Sequence, residues 1–320
     1  MSITRHVTTA VFSVTSELSC RAYCRSKSIQ SPNQLFGFPA QRRMKGTTMS
    51  LKTVAQEVLT ILDSGVYFAN GEMVRIDSLQ KQALDSTRLY APKELEVLRN
   101  ESASGVQTRV SIIDGTTQFI AHQMSFQNAE PFALLNFASA RNPGGGFLNG
   151  AKAQEEDVCR CSGLYQCLLR CMEYYDANRA QESLLYTDYA IYSCGVPFFR
   201  IRSTGDFLRQ PFVASVISAP APNSAPYLKL NPGKLDILTS TFLRRWENAL
   251  CIARANGVHR LLLGAWGCGA FGGDPQMAAT TAKQAIARFG SAFDEIVFAI
   301  PSAGKESLSN LNVFRTVFSE

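Results

Sequence analysis

Apolar runs of strand length alternate with segments of helical length from residue 109 to the end of the chain. The run at 132–137 is apolar apart from one asparagine, which is typical of a strand that helices cover on both faces. This alternation predicts an α/β protein whose sheet is mainly parallel, with helices on both sides. The predicted strands are residues 109–113, 132–137, 189–194, 212–218, 260–265 and 295–300.

The same periodicity places helices between these strands and on either side of them. Val54, Val58 and Leu62 recur at helical spacing, and Gly65 follows them as a stop signal. No internal repeat or linker interrupts residues 50–320, so we predict one domain with an N-terminal helical elaboration. The other predicted elements are helices at residues 94–99, 116–124, 155–175, 234–256, 275–289 and 307–318, and a strand at 73–76.

The excess positive charge lies entirely at the N-terminal end of the chain. Of the 32 basic and 26 acidic residues, residues 1–50 hold seven and one, so 25 of each sign remain in the rest. A neutral body argues against direct nucleic-acid binding. No stretch approaches about 18 uncharged apolar residues, so we expect no membrane-spanning helix and no membrane partner.

Residues 1–49 form a basic segment that is rich in Ser, Thr and Arg and poor in acid. That composition fits a mitochondrial transit peptide, but it also fits a disordered tail, or a start codon placed upstream of Met44 or Met49. We expect an intracellular protein and favour the cytoplasm or nucleus, with the mitochondrion as the alternative.

Nine cysteines are spread irregularly along the chain, and their number is odd. Disulfide frameworks belong to short secreted domains, so we predict reduced thiols. Four of them form a cluster that could be considered a zinc site, but the cluster lacks a paired C-x-x-C, and none of the three histidines is near it. We therefore expect these side chains to pack between helices, and we expect no metal and no cofactor. The cluster consists of Cys159, Cys161, Cys167 and Cys171.

Two glycine-rich segments follow apolar strands, where parallel sheets bind their ligands. The second of them, GCGAFGG at 267–273, matches the dinucleotide pattern G-x-G-x-x-G. An NAD site would also need an acid at the end of the next strand, but Asp294 and Glu295 lie at its beginning. The segment at 267–273 is therefore either a tight turn or a loop whose backbone N–H groups can approach an anion such as a diphosphate.

The first segment contains three consecutive glycines at 144–146, and a helix is predicted to open at Gln154, Glu155 and Glu156. Consecutive glycines suggest that the backbone closely approaches another group. Acids in a first helical turn are also favoured by the helix dipole, so a purely structural explanation stays open from composition alone.

The pattern of GGG followed after seven residues by QEE resembles the signature of the poly(ADP-ribose) glycohydrolase macrodomains. The surrounding words are similar to the microbial-type branch of that family, and the similarity covers about residues 50–320. These words are TRLYAPKEL, NFASARNPGGGFLNGA, QEEDVCRCSGLY, SAPAPN and LLLGAWGCGAFGGDP. The resemblance implies a three-layer α/β/α sandwich with a mainly parallel mixed sheet, in which residues 50–320 form the catalytic macrodomain.

The resemblance also implies the roles of individual residues. Glu156 would be the catalytic acid/base, and Glu155 would hold ribose hydroxyls and orient the site. Phe271 would lie against a ribose, while Asn136 and Asn142 would face a ribose or fix the loop. The remaining implied substrate-binding residues are Gly144, Gly145, Gly146, Gln154, Gly267, Gly269, Ala270 and Gly272.

Cleavage of a ribose–ribose bond needs a proton on the leaving oxygen and stabilisation of an oxocarbenium-like transition state. Adjacent helical residues point about 100° apart, so Glu155 and Glu156 cannot flank one bond as an ordinary glycosidase pair. One must be the acid and the other must position the substrate. A helix N-terminus lowers the pKa of a carboxyl group, whereas a second carboxylate and a bound diphosphate raise it.

The predicted function is therefore hydrolysis of poly(ADP-ribose) from its free end by a monomer, with ADP-ribosylated proteins as substrates and ADP-ribose as product. A mono-ADP-ribosyl or O-acyl-ADP-ribose hydrolase on the same fold is the nearest alternative. A catalytically silent ADP-ribose reader is another, although pure binding would not need the second glutamate. An NAD-dependent oxidoreductase is disfavoured because the ribose-binding acid is missing.

Overall fold

The computed structural model describes residues 49–101, 105, 107–128 and 130–319. The predicted tail or targeting segment at 1–49 therefore lies outside the described residues except for Met49. Nine strands are present in the described part: β1 Val66–Ala69, β2 Glu72–Arg75, β3 Arg88–Tyr90, β4 Arg109–Ile113, β5 Phe132–Phe137, β6 Ala190–Phe198, β7 Phe212–Ala219, β8 Arg260–Leu263 and β9 Glu295–Ala299.

Seven of these strands form one mixed sheet in the order β3-β6-β7-β5-β8-β9-β4. The pairs from β7 to β4 are parallel, whereas β6 runs antiparallel to both of its neighbours. Along β5, Phe132 and Leu134 enter the core on one face of the sheet, and Ala133 and Leu135 enter the core on the other. The central strand is thus buried on both sides, as its apolar run predicts.

Helices cover both faces of this sheet, which confirms the predicted three-layer α/β/α architecture. The helices of the described residues are α1 Leu51–Ser64, α2 Asp77–Asp85, α3 Pro92–Asn100, α4 Thr117–Gln127, α5 Gln154–Cys161, α6 Leu164–Leu169, α7 Met172–Arg179, α8 Ser224–Leu230, α9 Leu235–Ala255, α10 Pro275–Phe289 and α11 Lys305–Ser319. Helix α1 begins at an N-cap where Ser50 Oγ accepts the Thr53 N–H at 3.1 Å, and it ends at Gly65 in the left-handed conformation.

The prediction of one long helix over 155–175 is wrong, because α5, α6 and α7 replace it. Ser162 causes the first break: its backbone is extended, and its Oγ donates to Val158 O at 2.7 Å. The next residue, Gly163, packs so closely on the buried Gln80 that a side chain there would collide with it. Local side-chain hydrogen bonds have overridden the helical periodicity at this point.

The region between α1 and α3 holds more structure than predicted. The strand expected at 73–76 is β2, and it pairs with β1 in a hairpin. The turn consists of Asn70 and Gly71, both at positive φ, and Asn-Gly is the strongest short hairpin signal in a sequence. Helix α2 and strand β3, which follow the hairpin, were not predicted, and neither was α8.

The four cysteines of the cluster lie in the hydrophobic core, between the helices on one face of the sheet. Cys159, Cys161, Cys167 and Cys171 are buried free thiols, and the last two lie at different helices. The described residues contain no group of three or more His, Cys, Asp or Glu side chains placed to hold a metal ion. No helix within the described ranges is long and apolar enough to cross a membrane.

Substitution of Phe298 should test the core that supports the sheet. Phe298 in β9 is fully buried and packs against Trp246, Phe314 and Phe318. We expect Phe298→Ala to lower the free energy of unfolding by about 3–5 kcal/mol, measured by urea denaturation. Phe68→Ala is the matched control, because that ring is 63% exposed, and its effect should stay within about 0.5 kcal/mol. Equal effects of the two substitutions would contradict this assignment of the core.

Candidate active site

Both glycine-rich segments emerge at the same edge of the sheet. The first follows β5 and the second follows β8, and these two strands are parallel neighbours. After β5 the chain proceeds to β6 on one side of the pair, whereas after β8 it proceeds to β9 on the other side. Ligands of open α/β sheets bind at such switch points, outside the carboxyl ends of the strands.

Gln154 ties the start of α5 to the end of β5. Its Oε1 accepts the N–H of Phe137 at 2.8 Å, and its Nε2 donates to Leu135 O at 2.9 Å and to Thr117 Oγ1 at 3.2 Å. Both N–H donors of the side-chain amide are thereby used within the protein. The structure thus gives Gln154 the role of an anchor that fixes the next two residues at the sheet edge.

Glu155 is buried beneath the loop that follows β5. Its Oε2 accepts the Ser139 N–H at 2.7 Å, and its Oε1 accepts from Asn136 Nδ2 at 3.3 Å. Burial raises the pKa of Glu155 to about 8, and the nearby Glu156 carboxylate adds to that rise. The hydrogen bonds from Ser139 and Asn136 oppose the rise without cancelling it.

Glu156 has one oxygen held and one oxygen free. Its Oε1 accepts the N–H of Gly146 at 2.8 Å, which fixes the carboxyl group against the triple-glycine loop. Its Oε2 is buried and has no hydrogen-bond partner among the described residues. The side-chain oxygen of Asn136 is in the same condition, although its Nδ2 also donates to Ser218 Oγ at 3.0 Å. Two buried acceptors without partners therefore lie next to Glu155, and such groups indicate a role that the free protein does not fulfil.

The triple-glycine loop approaches both carboxyl groups more closely than a side chain would allow. Gly145 has a φ of +58°, and a Cβ there would lie 2.5 Å from Glu156 Oε1 and 3.0 Å from Glu155 Oε2. A Cβ on Gly146 would lie 2.6 Å from that of Ala151. Asn142 is exposed and fixes the loop through its backbone, where its carbonyl oxygen accepts the Gly145 N–H at 2.9 Å. The backbone of Asn142 thus helps to fix the loop, and a ribose-facing role for its side chain stays a prediction.

The second glycine-rich loop, at 267–273, presents backbone amides at the neighbouring strand end. Gly267 and Gly272 adopt positive φ, which bends the loop, and the Gly273 N–H closes it by donating to Gly267 O at 2.9 Å. The N–H groups of residues 269–271 donate to no group in the described part of the chain. No described atom comes within 4 Å of a Cβ built on Gly269. This loop can therefore approach an anion through several successive N–H groups.

The dinucleotide alternative fails on geometry as it does on sequence. Glu295 lies at the beginning of β9, on the edge of the sheet away from both glycine loops. Its carboxylate forms ion pairs with Arg260, where Nε lies 3.2 Å from Oε2, and with Arg109, where Nη2 lies 2.8 Å from Oε1. It therefore contributes nothing at the carboxyl edge, where a ribose would bind.

Comparison with known proteins agrees with this geometry. Residues 55–201 match the family model for the microbial-type PARG catalytic domain. A crystal structure of poly(ADP-ribose) glycohydrolase (PARG) from Thermomonospora curvata is 36% identical in sequence, with a TM-score of 0.78, over 84% of this chain and 99% of that one. The chain belongs to the microbial-type PARG family.

Two further solved structures of PARG enzymes carry ligands. One is the Thermomonospora curvata enzyme bound to the inhibitor ADP-HPD, which is 36% identical, with a TM-score of 0.76, over 83% of this chain and 98% of that one. The other is the Deinococcus radiodurans enzyme in complex with ADP-ribose, which is 38% identical, with a TM-score of 0.70, over 77% and 98% of the two chains. No curated protein sequence matched the chain.

Two residues of this PARG site were missed from the sequence. Ser139 holds Glu155 through its backbone N–H, which a sequence does not display. Ser218 lies directly opposite Asn136 in the register of β7 against β5. A signal for Ser218 did exist, because the carboxyl ends of adjacent parallel strands meet at one edge. Using that signal requires the strand order, which the sequence alone left open.

The buried Glu155 should make the stability of this PARG member depend on pH. Below its ordinary pKa of 4.5, both the folded and the unfolded chain keep the proton. Between pH 4.5 and about 8, the unfolded chain loses the proton while the folded chain retains it, so the wild type loses stability as pH rises. Glu155→Gln lacks this dependence.

We therefore expect the stability of Glu155→Gln relative to wild type to increase from pH 5 to about 8 and then to level off. Urea denaturation of both proteins across this range measures the difference. Parallel stability curves for the two proteins would show that the environment of Glu155 does not hold its proton.

Proposed function

We propose that the chain is a poly(ADP-ribose) glycohydrolase that cleaves ribose–ribose O-glycosidic bonds and releases ADP-ribose. Family membership and the paired glutamates beneath a triple-glycine loop support this activity. Its substrates are poly(ADP-ribose) and ADP-ribosylated proteins, and the enzyme acts as a monomer. Release from the free end of the polymer is part of the proposal and rests on the family resemblance.

The observation that carries the mechanism is the unpartnered Oε2 of Glu156, beside an Oε1 that Gly146 already holds. In the proposed reaction Glu156 gives its proton to the leaving 2′-oxygen as the bond from the anomeric carbon to that oxygen breaks. Water then adds to the oxocarbenium-like carbon, and its proton returns to the Glu156 carboxylate. Glu155 cannot share this task, because it points in another direction on the helix and both of its oxygens already accept hydrogen bonds.

Glu155 and Asn136 would hold the reacting ribose. The free Oδ1 of Asn136 can accept a ribose hydroxyl, while its Nδ2 keeps Glu155 in place. The buried Glu155 gains most when a substrate hydroxyl satisfies its remaining hydrogen-bonding capacity. This division assigns substrate positioning to Glu155 and Asn136 and proton transfer to Glu156.

The diphosphate would bind between the two glycine loops. The N–H groups of Gly269, Ala270 and Phe271 are free to donate, and Gly267 and Gly272 provide the bends that present them. The triple-glycine loop lies at the neighbouring strand end, so a ligand on these amides extends naturally toward the two glutamates. The substrate's own negative charge then adds to the stabilisation of the cationic transition state.

The test compares three substrates: automodified poly(ADP-ribose) polymerase, a mono-ADP-ribosylated protein and O-acetyl-ADP-ribose. The proposal expects rapid release of ADP-ribose from the first substrate and much slower turnover of the other two. Preferential turnover of either of the other two would reassign the enzyme to the nearest alternative. ADP-ribose binding without any release would identify a reader.

Residues 50–320 are proposed to be the complete catalytic unit, with residues 1–49 outside it. Deletion of residues 1–49 should therefore leave kcat and KM for polymer hydrolysis within about twofold of the full chain, since every site residue described above lies after residue 49. An inactive truncation that still unfolds cooperatively would place part of the machinery in the N-terminal segment.

A further inference from the structure

One aromatic residue at the edge of the site has an unfavourable backbone conformation. Tyr186 has a φ of +59°, and in the described part of the chain only Asn70 shares a positive φ among non-glycine residues. Asn70 sits in a hairpin turn, where asparagine tolerates this region well. A tyrosine adopts it rarely, and it persists only where the surroundings fix it.

The segment around Tyr186 is fixed on both sides by buried polar side chains. Asn178 is fully buried, and its Oδ1 accepts both the N–H of Thr187 at 2.8 Å and the hydroxyl of Thr187 at 2.9 Å. Arg245 Nη2 donates to the carbonyl oxygens of Leu185 at 3.0 Å and Tyr186 at 3.1 Å. These bonds hold the peptide groups immediately before and after the Tyr186 side chain.

Arg245 joins this segment to the sheet edge where the site lies. Its side chain is only 1% exposed, and its Nε pairs with Asp188 Oδ1 at 2.5 Å. Its Nη1 donates to the carbonyl oxygen of Pro220 at 2.5 Å, directly after β7. Arg244 binds the other oxygen of Asp188 at 2.7 Å. The buried guanidinium of Arg245 thus connects the loop before β6 to the end of β7 through several hydrogen bonds.

The Tyr186 ring lies against the second glycine loop. Its centroid is 6.2 Å from that of Phe271, and both rings are partly exposed. Behind them, the buried hydroxyl of Tyr174 has no partner among the described residues. Burial raises the pKa of Tyr174, the charges of Glu155 and Tyr186 raise it further, and that of Arg245 lowers it. Through this ring contact Tyr186 lies next to the loop that carries the free backbone amides.

We propose that Tyr186 contacts the bound ADP-ribosyl unit and forms, with Phe271, an aromatic wall of the cleft, while Arg245 and Asp188 are positioning residues for that ring. This inference rests on the proposed function. Backbone strain that persists at a non-glycine residue often marks a functional site, and the two aromatic rings beside the free amides offer faces on which a ring of a nucleotide can stack.

Tyr186→Gly separates strain from function. Glycine accepts a positive φ without cost, so the variant should melt at or above the wild-type temperature. Its Kd for ADP-ribose, measured by calorimetry, should nevertheless rise at least about tenfold, and KM for the polymer should rise more than kcat falls. Asn70→Gly makes the same backbone change at the distant hairpin and should leave the Kd unchanged. Wild-type affinity in Tyr186→Gly would overturn the proposal.

The positioning role is tested by Arg245→Lys, which keeps a positive charge but loses the planar fork. If Arg245 acts through Tyr186, this variant should weaken ADP-ribose binding, and Tyr186→Gly should then weaken it no further. Additive effects on Kd would refute the role, as would a lower melting temperature with unchanged affinity. These binding measurements do not require turnover. A wild type that binds ADP-ribose but does not release it would refute the proposed hydrolase and leave this test intact.

Discussion

Glu156→Gln is expected to bind ADP-ribose as the wild type does and to release it from poly(ADP-ribose) about 10²–10⁴-fold more slowly. The glutamine side-chain oxygen can still accept the Gly146 N–H, so the loop keeps its position. What the substitution removes is the proton that the free oxygen would deliver to the leaving group. Calorimetry for binding and initial rates of ADP-ribose release measure the two properties separately.

Two comparisons make this result specific to Glu156. Glu173→Gln changes an exposed glutamate in the first turn of α7 and should have no effect on either property. Glu155→Gln should weaken ADP-ribose binding as well as turnover, because Glu155 is assigned to positioning the ribose. Normal turnover in Glu156→Gln, or loss of its ADP-ribose binding, would contradict the division of roles between the two glutamates.

Gly145→Ala should reduce kcat/KM by at least about 10²-fold, because the added methyl group would collide with both carboxyl groups. Its Cβ would lie 2.5 Å from Glu156 Oε1, and the collision can be removed only by moving either the loop or the glutamates. The positive φ of Gly145 adds a backbone cost of about 1–2 kcal/mol for alanine. Steady-state kinetics on the polymer, at a temperature where the variant is folded, measure the loss.

Gly195→Ala is the matched control for this substitution. Gly195 in β6 also has a positive φ, +65°, but a Cβ there would meet no described atom within 4 Å. The two variants should therefore lose similar stability to backbone strain, while only Gly145→Ala loses activity. Equal activity in both variants would show that the close approach at Gly145 is not required for the reaction.

The sheet was predictable because its central strand is buried on both faces. The apolar run at 132–137 is β5, and the GGG and QEE words that follow it lie at its carboxyl end. The strand at 189–194 was predicted, but neither its antiparallel direction in the sheet nor the break at Ser162 was predictable in this way. The direction of β6 depends on the strand order, and the break at Ser162 depends on a local hydrogen bond to Val158 and on the close contact of Gly163 with Gln80, neither of which periodicity encodes.

Individual roles within the site were harder to predict than its location. A helix N-terminus lowers the pKa of a carboxyl group in general, but at Glu155 burial dominates and raises the pKa. Gln154 shares the motif with the two glutamates, yet it anchors β5 through the Phe137 amide. The unusual backbone of Tyr186 has no signature in the sequence, since the buried Arg245 that holds it lies 59 residues further on.

The most direct test of the central claim is a time course of the purified full chain acting on long poly(ADP-ribose), with products separated by size. Free ADP-ribose should appear from the earliest time points while the polymer shortens gradually and no short oligomers accumulate. Early accumulation of oligomers would contradict attack from the free end. A polymer that stays intact, with no ADP-ribose released, would contradict the glycohydrolase itself.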